Sequence, residues 1–344
     1  MLSHEIYMQR CIDLARLGLG HVAPNPMVGA VIVHEDKIIG EGYHRYYGGN
    51  HAEVEAINAV IDQSLLANST LYVSLEPCSH HGKTPPCSDL IVKKGIKKVI
   101  IGVQDSHSKV NGRGIEKMRN AGIEVTVSVL EKECRELNKR FFTFHERQRP
   151  YVILKWAQSQ DGYLDKIRQP EEKGIHWISS PETKVLVHKW RSEEQSIMVG
   201  RKTVQIDNPS LTVREFSGNN PIRIIIDGQL QLSKELNIFS DDAKTFIFNR
   251  IKNDKTANIE WIKIAETNVE TILHELYKRD IISVFVEGGS RTLHYFIFGN
   301  VWDEARVIVG SSKLLDGTRA PFISNAPTLA FPFSKDMVYY YFRK

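Results

Sequence analysis

The stretch EPCSHHGKTPPC at residues 76–87 decides the fold, because a strand pattern enters it and a helix pattern leaves it. The apolar run TLYVSL at 70–75 is rich in the β-branched and aromatic side chains that are typical of a buried strand. After the second cysteine, the pattern at 88–94 predicts a helix that follows a double proline and stops at Gly95. The stretch therefore joins a strand to a helix and places a cysteine near each.

Outward from this stretch, strand and helix patterns alternate through the first half of the chain. The first two predicted strands are separated by a short polar connection, which indicates a hairpin. Strands that alternate with helices imply an α/β sandwich with a largely parallel sheet. The predicted strands lie at 28–33, 38–43, 70–75, 98–103 and 124–130, and the helices at 51–66, 88–94, 114–120 and 131–144.

The second half repeats the alternation and predicts another α/β domain. The charged stretch HERQRP at 145–150 ends the first half, so we expect domains at 1–147 and 148–344. All four cysteines precede residue 135 and all five tryptophans follow residue 155, which supports two units. The predicted strands lie at 151–157, 197–199, 222–226, 245–248, 283–286, 305–309 and 337–342, and the helices at 181–190, 269–278 and 291–298.

The composition is that of an ordinary globular protein, with 42% hydrophobic and 25% charged residues. No apolar run approaches the roughly 18–20 residues of a spanning helix, and the beginning MLSHEIYMQR lacks the apolar core of a signal peptide. We therefore expect a cytoplasmic protein without a membrane partner. The net charge of +4 is too small to predict a nucleic-acid partner by itself.

One histidine and two cysteines form the candidate metal site. His51, Cys78 and Cys87 are three soft ligands, and a catalytic zinc site keeps its fourth position for water. Glu53 is placed to shuttle protons without binding the metal, a pattern typical of zinc nucleobase deaminases. The alternative is a core histidine with two inert buried cysteines. Cys11 and Cys134 have no comparable neighbours in the sequence, and we assign them to packing.

Helix geometry restricts how His51 and Glu53 can meet. Residues two apart on a helix point roughly 200° apart, so they converge only where a helix begins and the first-turn side chains project past its end. Cys87 is predicted at the beginning of another helix, where free N–H groups favour a thiolate. We therefore expect two helix ends to face one ion.

The spacing of the two cysteines resembles one family in particular. Eight residues separate them, where the general deaminase pattern has two. The stretch 76–87 closely resembles the signature of the RibD/RibG family of bifunctional riboflavin-biosynthesis enzymes, which join a pyrimidine deaminase to a reductase. The resemblance extends over nearly the whole chain. Further matching motifs are PNP at 24–26, VG at 28–29, HAE at 51–53, GRG at 112–114 and AGI at 121–123.

The resemblance implies a cytidine-deaminase-like α/β/α sandwich in the first half, with one zinc ion per chain. His51, Cys78 and Cys87 are then the zinc ligands, and Glu53 is the proton shuttle. The implied substrate is a diaminopyrimidinone that carries a ribose phosphate, and the reaction is a hydrolytic deamination. His107 stands where the family usually has asparagine. The expected substrate-binding residues are Asn25, His80, Lys83 and Asp105.

The same resemblance implies a dihydrofolate-reductase-like second domain that uses NADPH to reduce the ribosyl group to a ribityl chain. The residues alone support it more weakly: a strand at 283–286 runs into EGGSRT at 287–292, where glycines let backbone N–H groups approach a phosphate. Arg201 and Lys202 are candidates to bind the 2′-phosphate. The expected cofactor-binding residues are Ala157, Trp177, Thr203, Asp207, Gly288, Gly289, Ser290, Arg291 and Thr292. The expected substrate-binding residues are Lys155, Arg191, Leu211, Arg214 and Glu287.

The second half departs from the family pattern at two positions, and two alternative functions are open. Gln160 replaces a usual leucine, and Ile175 replaces a serine that contacts the substrate in the family. A deaminase acting on nucleic acid, with an accessory binding domain, is the alternative enzyme. A scaffold stabilised by structural zinc is the alternative without catalysis. We favour the bifunctional enzyme, with a small-molecule substrate, no nucleic acid and assembly as a homo-oligomer.

Overall fold

The computed structural model describes residues 3–79, 85–107, 110–169 and 171–343. The chain divides into two compact units, Met1–Gln148 and Arg149–Lys344. Each unit has its own main sheet and its own hydrophobic clusters. Across the residues described, no helix has both the length and the apolar character needed to cross a membrane.

The first unit has a five-stranded sheet in the order β2-β1-β3-β4-β5. Only β3–β4 and β4–β5 are parallel, because β1 pairs with β2 and with β3 in antiparallel fashion. The expectation of a largely parallel sheet was therefore wrong. The elements are α1 His4–Arg16, β1 Gly29–His34, β2 Lys37–Tyr43, α2 Ala52–Ala59, β3 Thr70–Leu75, α3 Cys87–Lys93, β4 Lys98–Val103, α4 Arg113–Asn120, β5 Glu124–Thr126, α5 Glu131–Leu137 and α6 Lys139–Arg147.

Helices cover both faces of this sheet, which explains why its central strands are apolar along their whole length. Successive strand residues point to opposite faces. Val31 packs in a cluster with Met8 of α1 and Phe141 of α6. The next residue, Ile32, packs in a second cluster with Ile57 of α2. The result is the α/β/α sandwich that the sequence predicted.

Several predicted elements are shorter than expected. The helix predicted at 51–66 ends at Ala59, and a 3₁₀ helix follows at Gln63–Asn68. Asp62 accepts a hydrogen bond from the backbone N–H of Ser64, a local bond that competes with helix continuation. The strand predicted at 124–130 is paired only over its first three residues. The helix α1 was not predicted from the sequence.

A buried asparagine divides the helix that was predicted at 131–144. Asn138 accepts a hydrogen bond from the N–H of Met27 and donates one to its carbonyl oxygen, each at 2.8 Å. Its backbone lies outside the helical region, so α5 ends before it and α6 begins after it. This side chain therefore ties the segment before β1 to the junction of the two helices.

The second unit has a ten-stranded sheet in the order β11-β12-β10-β9-β8-β13-β6-β14-β17-β16. The strands from β12 to β14 in that order are parallel, and the edge strands are antiparallel. The strands β7 Tyr163–Asp165 and β15 Thr318–Arg319 form a separate antiparallel pair. The ten strands of the large sheet are β6 Tyr151–Gln158, β8 Ser196–Gly200, β9 Ile222–Ile226, β10 Thr245–Asn249, β11 Asp254–Lys255, β12 Ile259–Lys263, β13 Ser283–Val286, β14 Glu304–Val309, β16 Leu329–Phe333 and β17 Asp336–Phe342. Its helices are α7 Pro181–Glu193, α8 Arg201–Asp207, α9 Val269–Tyr277 and α10 Ser290–Phe298.

The second sheet also buries both of its faces. Leu154 and Val286 pack in one cluster with Leu293 of α10, whereas Phe285 packs in the other with Trp190 of α7. All the parallel strands end at the same edge. In open α/β sheets, ligands bind in the crevice outside the carboxyl ends of such strands.

Candidate functional sites

Two helix beginnings bring the three predicted metal ligands of the first unit together. His51 directly precedes α2, and Cys87 is the first residue of α3. Cys78 lies in the loop after β3, and its sulfur accepts a hydrogen bond from the backbone N–H of Cys87 at 3.3 Å. The ligand atoms of all three residues lie within 4.8 Å of one another.

These distances fit a zinc ion. Tetrahedral zinc with Zn–N near 2.0 Å and Zn–S near 2.3 Å sets its nitrogen and sulfur ligands about 3.6 Å apart. The Nδ1 atom of His51 lies 3.6 Å from the sulfur of Cys78 and 3.3 Å from the sulfur of Cys87. The set of one imidazole and two thiols leaves a fourth position, which is the arrangement of a catalytic zinc site.

The His51 ring and the Cys78 thiol form a charged pair at the site. The pKa of Cys78 is lowered to about 4, first by a hydrogen bond from the Cys87 thiol and then by one from the His51 ring. The pKa of His51 is raised to about 9, chiefly by its hydrogen bond to Cys78. A ligating imidazole must be neutral, so metal binding releases this proton.

Glu53 lies in the first turn of α2, beside the three ligands. Its side chain is buried, and burial is the main reason that the pKa of its carboxyl is raised. A raised pKa makes the carboxyl group a better proton acceptor, as a proton shuttle requires. The beginning of α2 therefore brings together Glu53, the predicted proton shuttle, and His51, a predicted metal ligand.

Of the four predicted substrate residues of the first unit, the structure describes Asn25 and Asp105. The side-chain amide nitrogen of Asn25 donates to Nε2 of His44 at 3.0 Å, and the His44 ring stands edge-on to His51 at 5.5 Å between centroids. Asp105 is buried, and burial raises its pKa to about 7. His80 and Lys83 lie outside the described residues, so their roles stay predictions.

Two residues that were not predicted from the sequence join segments of this site by hydrogen bonds. His44 is buried and bonds the carbonyl oxygen of Asn50 through Nδ1 at 2.8 Å, so it links Asn25 to the segment that carries His51. Glu76 accepts hydrogen bonds from the backbone N–H groups of four residues. They are Asp105, Gly112, Gly114 and Ile115. The available sequence signal for Glu76 was an acidic residue directly after an apolar strand.

The remaining cysteines and His107 contact other residues than the three predicted metal ligands. Cys11 and Cys134 are free and fully buried in one hydrophobic cluster, which confirms their assignment to packing. A Cβ at Gly102 would lie 2.4 Å from the sulfur of Cys134, so this thiol fills the space above the glycine. The ring of His107 packs edge-on against His145 at 4.5 Å.

The second unit contains a cavity of about 1730 Å³ along the carboxyl ends of its parallel strands. Its volume exceeds the roughly 300–1,000 Å³ of an ordinary ligand pocket, so it has room for a dinucleotide and a second molecule. All the residues predicted for cofactor or substrate in this unit line it. They are Lys155, Ala157, Trp177, Arg191, Thr203, Asp207, Leu211, Arg214, Glu287, Gly288, Gly289, Ser290, Arg291 and Thr292.

A buried carboxylate with two cations forms the polar centre of this cavity. Arg191 binds Glu287 with both nitrogens of its fork, at 2.5 and 2.9 Å, and Lys155 approaches the same carboxylate at 3.4 Å. Burial by itself raises the pKa of Glu287, but Arg191 and Lys155 lower it to about 2. Glu287 is therefore an anion, and it fixes the positions of both cations.

A glycine turn lies beside this carboxylate, between β13 and α10. Gly288 has φ of +111°, and its peptide bond to Gly289 is cis. A Cβ at Gly289 would meet the Thr203 hydroxyl at 3.0 Å, and one at Gly200 would meet the Thr292 hydroxyl at 2.7 Å. Glycine therefore keeps a cradle open at the beginning of α10, where N–H groups and the helix dipole favour a phosphate.

His188 and Arg168 also belong to this cavity region, although no sequence signal singled them out. His188 lines the cavity, and its Nδ1 accepts the backbone N–H of Arg214 at 2.9 Å. Arg168 binds Asp165 at 2.5 Å and approaches Asp207 at 3.8 Å. Burial raises the pKa of Asp207 to about 6.

The two departures in this unit have different surroundings. The side chain of Gln160 is exposed, and its backbone N–H bonds the carbonyl oxygen of Ser312 at 2.8 Å. The position therefore does not require leucine for packing. Ile175 lines the cavity and is 43% exposed, so it offers an apolar surface to the ligand where the family has a hydroxyl.

Together, a three-ligand zinc site at helix beginnings and a phosphate cradle at strand ends define a zinc-dependent deaminase joined to a nucleotide-dependent reductase. Comparison with protein families gives the same division. Residues 1–103 match the cytidine and deoxycytidylate deaminase zinc-binding region. Residues 150–328 match the RibD C-terminal domain.

Individual relatives extend over nearly the whole chain. The riboflavin biosynthesis protein RibD of Aquifex aeolicus is 39% identical over 318 residues, which is 90% of this chain and 88% of that protein. RibD of Bacillus amyloliquefaciens is 39% identical and covers 95% and 92%. A crystal structure from Thermotoga maritima has a TM-score of 0.87 and 38% identity, and covers 98% and 97%. It is described as a diaminohydroxyphosphoribosylaminopyrimidine deaminase and 5-amino-6-(5-phosphoribosylamino)uracil reductase.

The chain belongs to the RibD family of riboflavin biosynthesis. It is a bifunctional enzyme, with a zinc-binding deaminase domain followed by a reductase domain. The expectation drawn from residues 76–87 is thereby confirmed, and the deaminase acting on nucleic acid is not favoured.

Proposed function

We propose that the chain catalyses two consecutive reactions on one pyrimidine. In the first, the amino group of 2,5-diamino-6-(5-phosphoribosylamino)pyrimidin-4(3H)-one is hydrolysed to a carbonyl group, with release of ammonia. In the second, NADPH reduces the ribosyl group of the product to a ribityl chain. The observation that carries this proposal is the convergence of His51, Cys78 and Cys87 beside Glu53.

In the deaminase half, His51, Cys78 and Cys87 hold one zinc ion per chain. Bound zinc supplies a Lewis acid that lowers the pKa of water toward neutrality. Glu53 would accept a proton from the attacking water and deliver it to the departing amino group, which would leave as ammonia. Asn25 contacts the pyrimidine ring, and Asp105 also binds the substrate. His80 and Lys83 contact the substrate phosphate.

In the reductase half, the residues at 288–292 bind the cofactor phosphates, and Ala157, Trp177, Thr203 and Asp207 line the rest of the cofactor. NADPH supplies the hydride, so the protein contributes position and charge. Arg191 and Arg214 bind the substrate, and the fork of Arg214 suits its phosphate. The fork of Arg191 is held by Glu287, so Arg191 contributes positive charge to the substrate side. Lys155, Leu211 and Glu287 complete the substrate side.

The proposal includes domains at 1–147 and 148–344, assembly as a homo-oligomer and a cytoplasmic location. The four cysteines are free in the structure, and a zinc site built from thiols requires a reducing compartment. The family resemblance is the basis for the homo-oligomer. Light scattering on the purified enzyme measures it directly.

A coupled assay tests both reactions. The zinc-loaded enzyme receives the diaminopyrimidine phosphate and NADPH, and ammonia and NADPH are followed together. We expect one ammonia and one NADPH oxidised for each substrate consumed. Glu53→Gln should release no ammonia but should still oxidise NADPH when the deaminated pyrimidine is supplied.

Two results would contradict the proposal. Ammonia release from tRNA, with none from the pyrimidine nucleotide, would support the alternative deaminase. Ammonia release from the pyrimidine nucleotide, with no NADPH oxidation at any concentration of the deaminated product, would show that the reductase half is inactive. The exposed apolar surface of Ile175 is the position to examine in that case.

A further inference from the structure

One side of helix α7 contacts an irregular segment of the reductase cavity. This segment, 211–215, which we call the cavity segment, contains no helix or strand at any of its five residues, all of which the structure describes. Leu211 has φ of +55°, in the left-handed region that residues other than glycine rarely adopt. Ladder hydrogen bonds between strands do not fix the cavity segment, so its geometry depends on bonds from neighbouring elements.

Three polar residues on one side of α7 face the cavity segment. Lys184, His188 and Arg191 are spaced by four and then three residues, so they project from the same side of the helix. Lys184 pairs with the Glu215 carboxylate at 2.9 Å. Arg191 donates to the carbonyl oxygen of Thr212 at 3.3 Å. Helix α7 therefore holds the cavity segment near both of its ends.

His188 holds the cavity segment between these two points, through its ring. Its Nδ1 accepts the backbone N–H of Arg214 at 2.9 Å and that of Glu215 at 3.4 Å. A ring nitrogen that accepts carries no proton, so the proton of the neutral ring is on Nε2. The side chain is 2% exposed, and burial is the main reason that its pKa is lowered to about 4. His188 is therefore neutral at physiological pH and can accept both bonds.

The bond to Arg214 matters because the side chain of this arginine lines the cavity and is exposed there. Its guanidinium donates to the hydroxyl oxygen of Thr212 at 2.7 Å and retains further donors for a ligand. The other arginine on the substrate side, Arg191, is held by Glu287. A long side chain whose backbone is already fixed loses less conformational freedom when it binds a ligand. The position of the Arg214 backbone therefore affects how tightly the substrate binds.

We propose that His188 is a positioning residue of the reductase, which fixes the backbone at Arg214 and thereby directs its guanidinium toward the substrate phosphate. The inference rests on the proposed reductase, in which Arg214 binds that phosphate. His188 acts through Arg214, and it does so by accepting N–H groups. The role therefore requires an acceptor at the position of Nδ1, and it requires no charge on the ring.

Steady-state kinetics of the full-length enzyme, with the deaminated pyrimidine and NADPH, test this role. His188→Leu keeps the bulk of the side chain without an acceptor, and His188→Ala removes both. Each should raise the KM of the pyrimidine by about 10-fold, which is about 1.4 kcal/mol, and should change kcat by less than about twofold. An NADPH KM that changes by less than about twofold shows that the cavity is folded. His188→Asn should return the pyrimidine KM to within about threefold of wild type, because its amide oxygen takes the place of Nδ1.

A double-mutant cycle with Arg214→Ala distinguishes positioning from a general structural role. If His188 acts through Arg214, His188→Leu should change the pyrimidine KM by less than about twofold once Arg214 is alanine. A second loss of about 10-fold in that background would overturn the proposal. An unchanged KM in both His188→Leu and His188→Ala would also overturn it, as would an asparagine variant as impaired as the leucine variant.

The matched control is Lys189→Ala, which alters the next residue of α7. The side chain of Lys189 is exposed and does not line the cavity, so both KM values should stay unchanged. A wild-type enzyme that oxidises no NADPH with the deaminated pyrimidine would overturn the proposed reductase together with this role. An active wild-type enzyme whose pyrimidine KM is unaffected by Arg214→Ala would leave the reductase intact and overturn the role of His188.

Discussion

At the scale of single residues, the four cysteines show how the surroundings decide the use of one side chain. Cys78 lies where the Cys87 thiol and the His51 ring donate hydrogen bonds, and its pKa falls to about 4. Cys134 lies among apolar side chains, and burial raises its pKa to about 12. The first is a thiolate that can ligate a metal, and the second is a neutral thiol that packs.

The first prediction concerns Cys78→Ser. Loss of one of three protein ligands should reduce zinc affinity by more than the roughly 10- to 100-fold that a lost outer-shell partner costs. Metal analysis should show a fall from about one zinc per chain, and ammonia release should stop. The control is Cys134→Ala, in which zinc content should not change. Zinc retained in full by Cys78→Ser would contradict the assignment.

The second prediction concerns the neutral state of His188. Burial, then Arg191 and Arg214, lower its pKa to about 4, while Glu287 and Glu215 act in the opposite direction. In the unfolded chain the pKa is near 6.5, so between pH 6.5 and 4 the unfolded state binds the extra proton. Stability from this residue is present above pH 6.5 and is lost as the pH falls to 4.

The variant His188→Gln tests this sign. Glutamine keeps an acceptor for the N–H of Arg214 but has no proton to gain. From pH 7 to pH 4, wild type should lose about 3 kcal/mol of unfolding free energy relative to the variant, since each pKa unit is worth 1.36 kcal/mol. Urea unfolding of both proteins at each pH measures the difference, and other titrating groups cancel. A difference that does not depend on pH would show that the pKa of His188 is the same in the folded and unfolded chain.

At the scale of elements, Glu76 joins three segments at the deaminase site. It follows β3, and its carboxylate accepts N–H groups from the loop after β4 and from the beginning of α4. A Cβ at Gly114 would lie 2.2 Å from the carbonyl oxygen of Pro77, so α4 begins against the backbone that leads to Cys78. The Glu76 carboxylate therefore sets the position of the segment that leads to Cys78.

The third prediction concerns Glu76→Gln. An amide nitrogen cannot accept hydrogen bonds, so buried N–H groups lose their partner, at about 1–3 kcal/mol of unfolding free energy each. Ammonia release should fall, whereas NADPH oxidation with the deaminated pyrimidine should not change. The control is Glu124→Gln, whose side chain is 65% exposed and pairs with Lys98. If Glu76→Gln released ammonia at the wild-type rate, this carboxylate would have no positioning role.

Local sequence patterns predicted the elements that bury apolar residues and missed features that depend on side-chain bonds. Strands such as Thr70–Leu75 and Lys98–Val103 have the predicted bounds because their apolar runs are buried on both faces. The helix end at Ala59 is followed by a local bond between Asp62 and Ser64, and the break at Asn138 accompanies bonds to the distant Met27. Hydrophobic periodicity does not reveal hydrogen bonds of either kind. The clustering of His51, Cys78 and Cys87 could be predicted since the residue types and their spacing are specific. The partners of Glu76 could not be predicted, because they are backbone N–H groups, which every residue except proline carries.

At the scale of the whole molecule, each chemistry is confined to one unit. The metal ligands lie within Met1–Gln148, and the residues that line the reductase cavity lie within Arg149–Lys344. The hydrophobic clusters are divided in the same way. Each unit can therefore gain stability from its own ligand, because a ligand stabilises the folded state to which it binds.

The fourth prediction is that the two units respond to different ligands in differential scanning calorimetry of the full chain. Removal of zinc by a chelator should lower one transition, and NADP⁺ should raise the other. At 100 times Kd a ligand adds about 2.7 kcal/mol, which for a unit of this size is a rise of about 5–10 °C. Cys78→Ser should abolish the response to the chelator and preserve the response to NADP⁺. A single transition that both ligands move together would show that the two units unfold as one cooperative structure, since each ligand would then stabilise both cores.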